Sequence, residues 1–245
     1  MLDRLLATAG ERGGCYVVLL DPDRFSAAEN ATLAGRAADA GCDAFFVGGS
    51  LAVHDRTSET ARLVKQETGR PVILFPGNVS FVTPEADAIL FLSLLSGRNP
   101  QFLIGEHVVA APLIRETGLE TIATAYLLVD GGSVTSVEFM SATRPLPREK
   151  TGIAVAHALA AQYLGFELIF FDAGSGASKP VPPELIGAVA ENTDLPIVAG
   201  GGIRTPEAAS AAIGAGARFV VTGDVVEKGA SDELMREIAD AVHGG

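Results

Sequence analysis

The stretch IVAGGGIRTPEAASAAIGAGARFVVTGD, Ile197 to Asp224, decides the fold. Ile197 to Ala199 and Phe219 to Val221 are short apolar runs of strand character, and Pro206 to Ala215 between them is an alanine-rich helical run. A strand, a helix and a second strand form one βα unit of a parallel sheet. Both strands run straight into glycine, Gly200 to Gly202 after the first and Gly223 after the second.

The same alternation extends upstream to Cys15. Strands are predicted at Cys15–Leu20, Ala44–Val47, Pro71–Phe75, Ala88–Leu92, Glu120–Val129 and Glu167–Phe171. Helices are predicted from Ser26 through Ala40, and at Arg56–Thr68, Pro100–Thr117, Thr151–Leu164, Pro183–Asn192 and Asp232–Val242. Ser26, with Glu29 three residues on, has capping-box spacing, and Gly41 is placed as a C-cap. Between strands three and four, Pro76 to Ala86 holds little more than a turn, so the third helix is weak or missing. Gly131 to Pro147 is irregular, with room for a small hairpin. Eight strands in order within 245 residues predict an α/β chain folded as one TIM (β/α)8 barrel over residues 1–245.

Composition narrows the functions. A net charge of −12, with lysine only at Lys65, Lys150, Lys179 and Lys228, argues against a nucleic-acid surface. No apolar run is long enough for a membrane span. The start, MLDRLLATAGERGG, places acidic Asp3 where a secretory signal needs positive charge, so the expected location is cytoplasmic. Cys15 and Cys42 fit neither a metal-ligand spacing nor a disulfide framework and are expected as small buried groups. His54, His107, His157 and His243 form no metal or triad spacing.

Active sites of such barrels form where the strands end. Three groups of residues fall there. Gly200–Gly202 and Gly223 follow strands seven and eight, where barrels often bind phosphate on backbone N–H groups. They fit a phosphate cradle better than plain turns because both loops sit on the expected strands. FFDAGSGASKPVPPEL, from Phe170 to Leu185, adds the carboxylate of Asp172 with Gly174, Ser175 and Gly176. That loop fits an anion cradle and an ordinary turn equally well. LLDPDR, Leu19 to Arg24, and VGGS, Val47 to Ser50, put Asp21 and Ser50 at one mouth. One carboxylate and one hydroxyl make a sparse site for Mg²⁺, an ion that takes most ligands from water and substrate phosphates. A turn at Asp21-Pro22 with a solvated Asp23 accounts for the first motif as well. Arg144, Arg148 and Lys150 follow strand five and offer either a second anion contact or a solvated loop. Phe75, Val79, Phe81, Leu94, Leu95, Phe102 and Leu103, around strands three and four, form either an apolar channel or ordinary packing.

These motifs in this order, with TAYLLVDGG, RPLPREK and AVAHALAAQYLGFELIFF between them, resemble the geranylgeranylglyceryl phosphate synthase family over nearly the whole chain. The match is most specific from Thr124 to Leu185 and points to the second of the family's two groups, found in archaea and some bacteria. The resemblance implies Mg²⁺-dependent transfer of a geranylgeranyl group from geranylgeranyl diphosphate to the 3-hydroxyl of sn-glycerol 1-phosphate, in ether-lipid synthesis, by a homo-oligomer. It places the metal on Asp21 and Ser50. It places glycerol phosphate on Phe170, Phe171, Asp172, Ala173, Gly174, Ser175, Gly176, Gly201, Gly202, Gly223 and Asp224, and makes Asp172 and Asp21 the catalytic pair. The chain departs from the family at Phe170 and Asp172, where the family usually has Tyr and Glu, and at Asp224, where it often has a small neutral residue. The competing expectations are a phosphosugar isomerase or synthase of amino-acid synthesis, and a barrel that binds phosphorylated metabolites without turnover.

Overall fold

The structure is a computed structural model and describes residues 1–51, 53, 54 and 56–244. Eight strands close a barrel in sequence order: β1 (Cys15–Leu20), β2 (Ala44–Gly49), β3 (Val72–Pro76), β4 (Ala88–Leu94), β5 (Glu120–Leu128), β6 (Leu168–Asp172), β7 (Ile197–Gly200) and β8 (Phe219–Thr222). All eight pairings are parallel, and β1 closes the ring on β8 with Cys15 opposite Phe219.

Apart from Glu120 and Thr121, which open β5 and are exposed, the strands are largely buried on both faces, which is why their sequences read as mostly apolar runs. Alternate side chains separate the two faces. Along β6, Leu168 and Phe170 point into the lumen with Phe46, Tyr126 and Val198, while Ile169 and Phe171 point out into the helix layer. The same period turns Asp172, the last residue of β6, inward at the mouth.

The outer layer is α2 (Ala27–Asp39), α3 (Thr57–Thr68), α4 (Glu106–Thr117), α6 (Thr151–Tyr163), α7 (Pro183–Ala190), α8 (Pro206–Gly214) and α10 (Asp232–Val242). The expected capping box opens α2: Ser26 Oγ accepts from Glu29 N, and Glu29 accepts from Ser26 N. Between β3 and β4 the chain makes only a 3₁₀ turn, Val79–Phe81, so the third helix position carries no α-helix.

Three helices lie where none was expected. The first, α1 (Leu2–Arg12), precedes β1, and its Leu5 and Ala9 pack with Cys15, Ala44 and Ala88 to plug the N-terminal end of the barrel. The second, α5 (Ser136–Ser141), replaces the expected hairpin: Thr135 caps it by accepting from Glu138 N, and Ala142, at φ 51°, ends it. The single bridge in that region, Val129 to Leu146, is parallel. The third, α9 (Asp224–Glu227), is one turn immediately after β8. Cys15 and Cys42 are free and buried. Among the described residues no helix is long and apolar enough to cross a membrane.

Candidate active site

The C-terminal ends of the strands surround an open cleft of about 1020 Å³, counting the space at its mouth. Its floor is aromatic. Phe170 lies 5.3 Å from Phe75 and 5.6 Å from Tyr126, centroid to centroid.

Glycine builds one wall. Gly201 has φ 74°, a left-handed conformation, and a Cβ on it would meet Gly174 N at 2.6 Å and collide with Asp172 Oδ1. The loops after β6 and β7 therefore touch backbone to backbone, which only glycine permits there. Gly174, Gly176, Gly202 and Gly223 line the same wall.

Asp172 sits in that wall, 9% exposed. Its Oδ2 accepts from Tyr126 Oη at 2.5 Å and its Oδ1 from Gly174 N at 2.7 Å. Burial pushes its carboxyl up, and the two hydrogen bonds, which favour the ionised form, only partly offset this. Burial also pushes the Tyr126 phenol up, with the Asp172 charge adding to the effect.

Asp21 stands across the cleft at the end of β1. Its Oδ1 accepts from Asp23 N at 2.9 Å, whereas its Oδ2 has, among the described residues, only Arg24 Nε at 3.7 Å. Burial raises its carboxyl above the ordinary value against the pull of Asp23 N and Arg24. The end of β2 abuts it: a Cβ on Gly49 would lie 3.3 Å from Asp21 Oδ2, and Ser50 follows. Asp23 is bonded rather than solvated. It accepts from Val53 N at 2.6 Å and His54 N at 2.9 Å, tying the loop after β1 to the loop that carries Ser50.

Asp224 enters the cleft from α9. Its Oδ1 accepts from Ser175 Oγ at 3.2 Å, and its Oδ2 meets Lys228 Nζ at 2.8 Å and Arg204 Nη2 at 3.4 Å. Burial pushes its carboxyl up, but Lys228, Arg204 and Arg24 outweigh that and hold it below the ordinary range.

The structure thus brings Asp21, Ser50, Phe170, Asp172, Gly174, Ser175, Gly176, Gly201, Gly202, Gly223 and Asp224 to one cleft. It does not bring the side chains of Phe171 and Ala173 there. Both are fully buried in the outer layer, the first because its strand position faces outward. Arg144, Arg148 and Lys150 do not line the cleft, and Arg148 Nη1 donates to Asp130 O at 2.8 Å.

Besides Tyr126, two further residues were missed. Arg24 Nη1 pairs with Glu227 Oε2 at 2.6 Å while Nη2 donates to Ser175 Oγ at 3.1 Å, so one guanidinium spans the loops after β1 and β6. Glu227, on α9, also accepts from Asp21 N at 3.3 Å. Burial raises its carboxyl, with Arg24 opposing. Arg24 lies within a quoted motif; Glu227 carried no signal, because a four-residue helix has no readable period.

An apolar groove of about 850 Å³ opens off the cleft toward β3, β4 and α4, beside the missing helix. The two recesses share Gly49, Ser50, Phe75, Tyr126 and Val137. Of the seven apolar residues proposed for a channel, Phe75, Val79, Leu94 and Phe102 line this groove. Phe81 is fully buried outside the groove lining, Leu95 packs against the outer core, and Leu103 lies outside the lining. His107 is in the groove wall, edge-on to Phe91 at 4.4 Å.

Among the described residues no three His, Cys, Asp or Glu side chains form a metal cage. The donor set still suits Mg²⁺, which binds hard oxygen and few protein ligands. Asp21 lines the cleft and, among the described residues, its Oδ2 meets only Arg24 Nε at 3.7 Å, with Ser50 following the neighbouring strand in the same lining.

A closed (β/α)8 barrel with a glycine-walled cleft at the strand ends defines the class of phosphate-binding TIM-barrel enzymes. Within it, the chain belongs to the PcrB family, whose model matches residues 8–242. It is 45% identical to geranylgeranylglyceryl phosphate synthase of Chitinophaga pinensis, over 93% of this chain and 90% of that one. It is 43% identical to the enzyme of the same name from Thermococcus kodakarensis, over 96% and 93%. The fold superposes with TM-score 0.94 on the crystal structure of (S)-3-O-geranylgeranylglyceryl phosphate synthase from Thermoplasma acidophilum in complex with substrate sn-glycerol-1-phosphate, at 36% identity over 100% of this chain and 99% of that one.

Proposed function

We infer that the protein transfers a geranylgeranyl or similar prenyl group from its diphosphate to the 3-hydroxyl of sn-glycerol 1-phosphate, a step of ether-lipid synthesis. The carrying observation is the shared wall: a polar, glycine-walled cleft holding a buried carboxylate meets an apolar groove at Ser50, Phe75 and Tyr126. A charged acceptor and an apolar tail then meet end to end. The relatives named above, one of them bound to glycerol phosphate, support the same reading.

The backbone N–H groups of the loops after β6, β7 and β8 receive the phosphate. The acceptor hydroxyl points at Asp172, which takes its proton as the hydroxyl oxygen bonds to the allylic C1. The C1–O bond to diphosphate breaks with its electron pair going to the leaving diphosphate. Asp21 and Ser50 are the residues that would hold Mg²⁺, which when bound neutralises diphosphate charge and improves the leaving group. Arg24 adds a cation beside Asp21. Phe75, Tyr126 and Phe170 cluster in the cleft, and such rings stabilise a carbon that gains positive charge beside them. Holding both partners in place supplies much of the rate.

The test incubates the protein with Mg²⁺, labelled sn-glycerol 1-phosphate and prenyl diphosphates of several lengths. Label moving to the organic phase is the expected result. No lipid product at any length defeats the reading, and glycerol-phosphate binding without turnover makes the barrel a binding protein. A cytoplasmic location and self-association are proposed with this function; sedimentation at several concentrations tests the second.

A further inference from the structure

The acid at position 224 is out of place in a cleft for a phosphate. Asp224 lines that cleft with the glycine loops, and its side chain is 9% exposed. Arg204 and Lys228 are not part of the cleft lining. They reach Asp224 from behind, at 3.4 and 2.8 Å. Ser175 is exposed and sits in the cleft wall, yet its hydroxyl donates to Asp224. One carboxylate therefore uses the charge of three cations, Arg204 and Lys228 outside the lining and Arg24 at 3.5 Å within it, together with the hydroxyl of a cleft residue, and it presents a negative charge where an anion is to bind.

We propose that Asp224 sets the phosphate affinity of this cleft, by screening Arg204 and Lys228 and by holding the Ser175 hydroxyl away from the ligand. The inference rests on the cleft being the glycerol-phosphate site. Like charges in a partly desolvated cleft repel more strongly than in water. The surrounding cations hold the Asp224 carboxyl below the ordinary range, so it stays charged at neutral pH and protonation gives no relief. A neutral residue of similar shape removes the repulsion, turns the cations toward the ligand and frees Ser175. Asp224 is thus a positioning residue that tunes acceptor binding, with no part in bond making.

The test titrates sn-glycerol 1-phosphate, and separately inorganic phosphate, into the full chain carrying Asp224, Asp224→Asn or Asp224→Glu. The Asn variant should bind both ligands about tenfold tighter, equivalent to about 1.4 kcal/mol. Its KM for glycerol phosphate should fall with kcat unchanged, and the gain should shrink at high salt. The Glu variant, which keeps the charge, should stay weak. Unchanged or weaker binding by the Asn variant overturns the proposal. Should that variant fail to fold, Lys228→Met at an exposed position leaves Asp224 less screened and should weaken binding several-fold; unchanged affinity there also overturns it. The two readings fail separately. Glycerol phosphate bound no better than inorganic phosphate in any variant removes the acceptor assignment, while an Asn gain on inorganic phosphate keeps the role of Asp224. Preference for glycerol phosphate without an Asn gain does the reverse.

Discussion

Asp172 accepts hydrogen bonds from Tyr126 and Gly174, and burial still raises its carboxyl above the ordinary aspartate value. A proton acceptor works only when ionised. Activity should therefore fall, as pH is lowered, at a pH above the ordinary aspartate range. Tyr126 favours the ionised form, so Tyr126→Phe should move that acid limb further up. Asp172→Asn should reduce kcat by about 10²–10⁴-fold, the typical contribution of a general base. A pH–rate profile measures all three, and a wild-type limb at ordinary aspartate values would remove Asp172 from the base role. The sequence placed this residue at the mouth through the position of β6 alone. Its partner Tyr126 was not legible as such, because the contact depends on the β5–β6 register, which pairs Tyr126 with Phe170.

At the scale of elements, the strands were legible because they are mostly apolar runs bounded by turn residues. The absent helix after β3 was legible too, since Pro76 to Ala86 has no helical period. What escaped were short or terminal helices. Leu2, Leu5, Leu6 and Ala9 do carry an amphipathic spacing, but a charged stretch at the chain start reads equally as a loose terminus. Thr135 with Glu138 gives α5 a capping signal over only six residues, with Phe139 and Met140 exposed. The missing helix has a use, since it leaves space beside β3 and β4 for the apolar groove. Ala110, on the α4 face that lines this groove, is its smallest side chain on that helix. Ala110→Trp should shorten the longest prenyl tail accepted while costing about 1–3 kcal/mol in overpacking. Product lengths from mixed prenyl diphosphates, with a melting curve, check both; an unchanged length distribution would place the tail elsewhere.

Across the whole molecule, Asp43 joins the two ends of the chain. It is 5% exposed and accepts from Arg12 on α1, from Tyr16 N on β1 at 2.8 Å, and pairs with His243 after α10 at 2.8 Å. Burial pushes its carboxyl up, but His243, Tyr16 N and Arg12 together hold it below the ordinary range. A lowered folded value means that its stabilisation is complete above the ordinary carboxylate range and is lost as pH falls through the folded value. Asp43→Ala should cost about 3 kcal/mol at neutral pH, as expected for breaking a buried pair. The gap from wild type should close in acid; urea unfolding at several pH values measures it, and a pH-independent gap would contradict the linkage. The common wall of cleft and groove has a kinetic consequence. A product with a charged head and an apolar tail is a tethered pair of ligands, and when one end lets go the other keeps it nearby at an effective concentration of about millimolar. Escape needs both ends free together, so the expected limit on steady turnover is departure rather than bond formation. Rapid quenching should show a burst of one product per site, and lipid vesicles, by taking up the tail, should speed the steady phase and leave the burst unchanged.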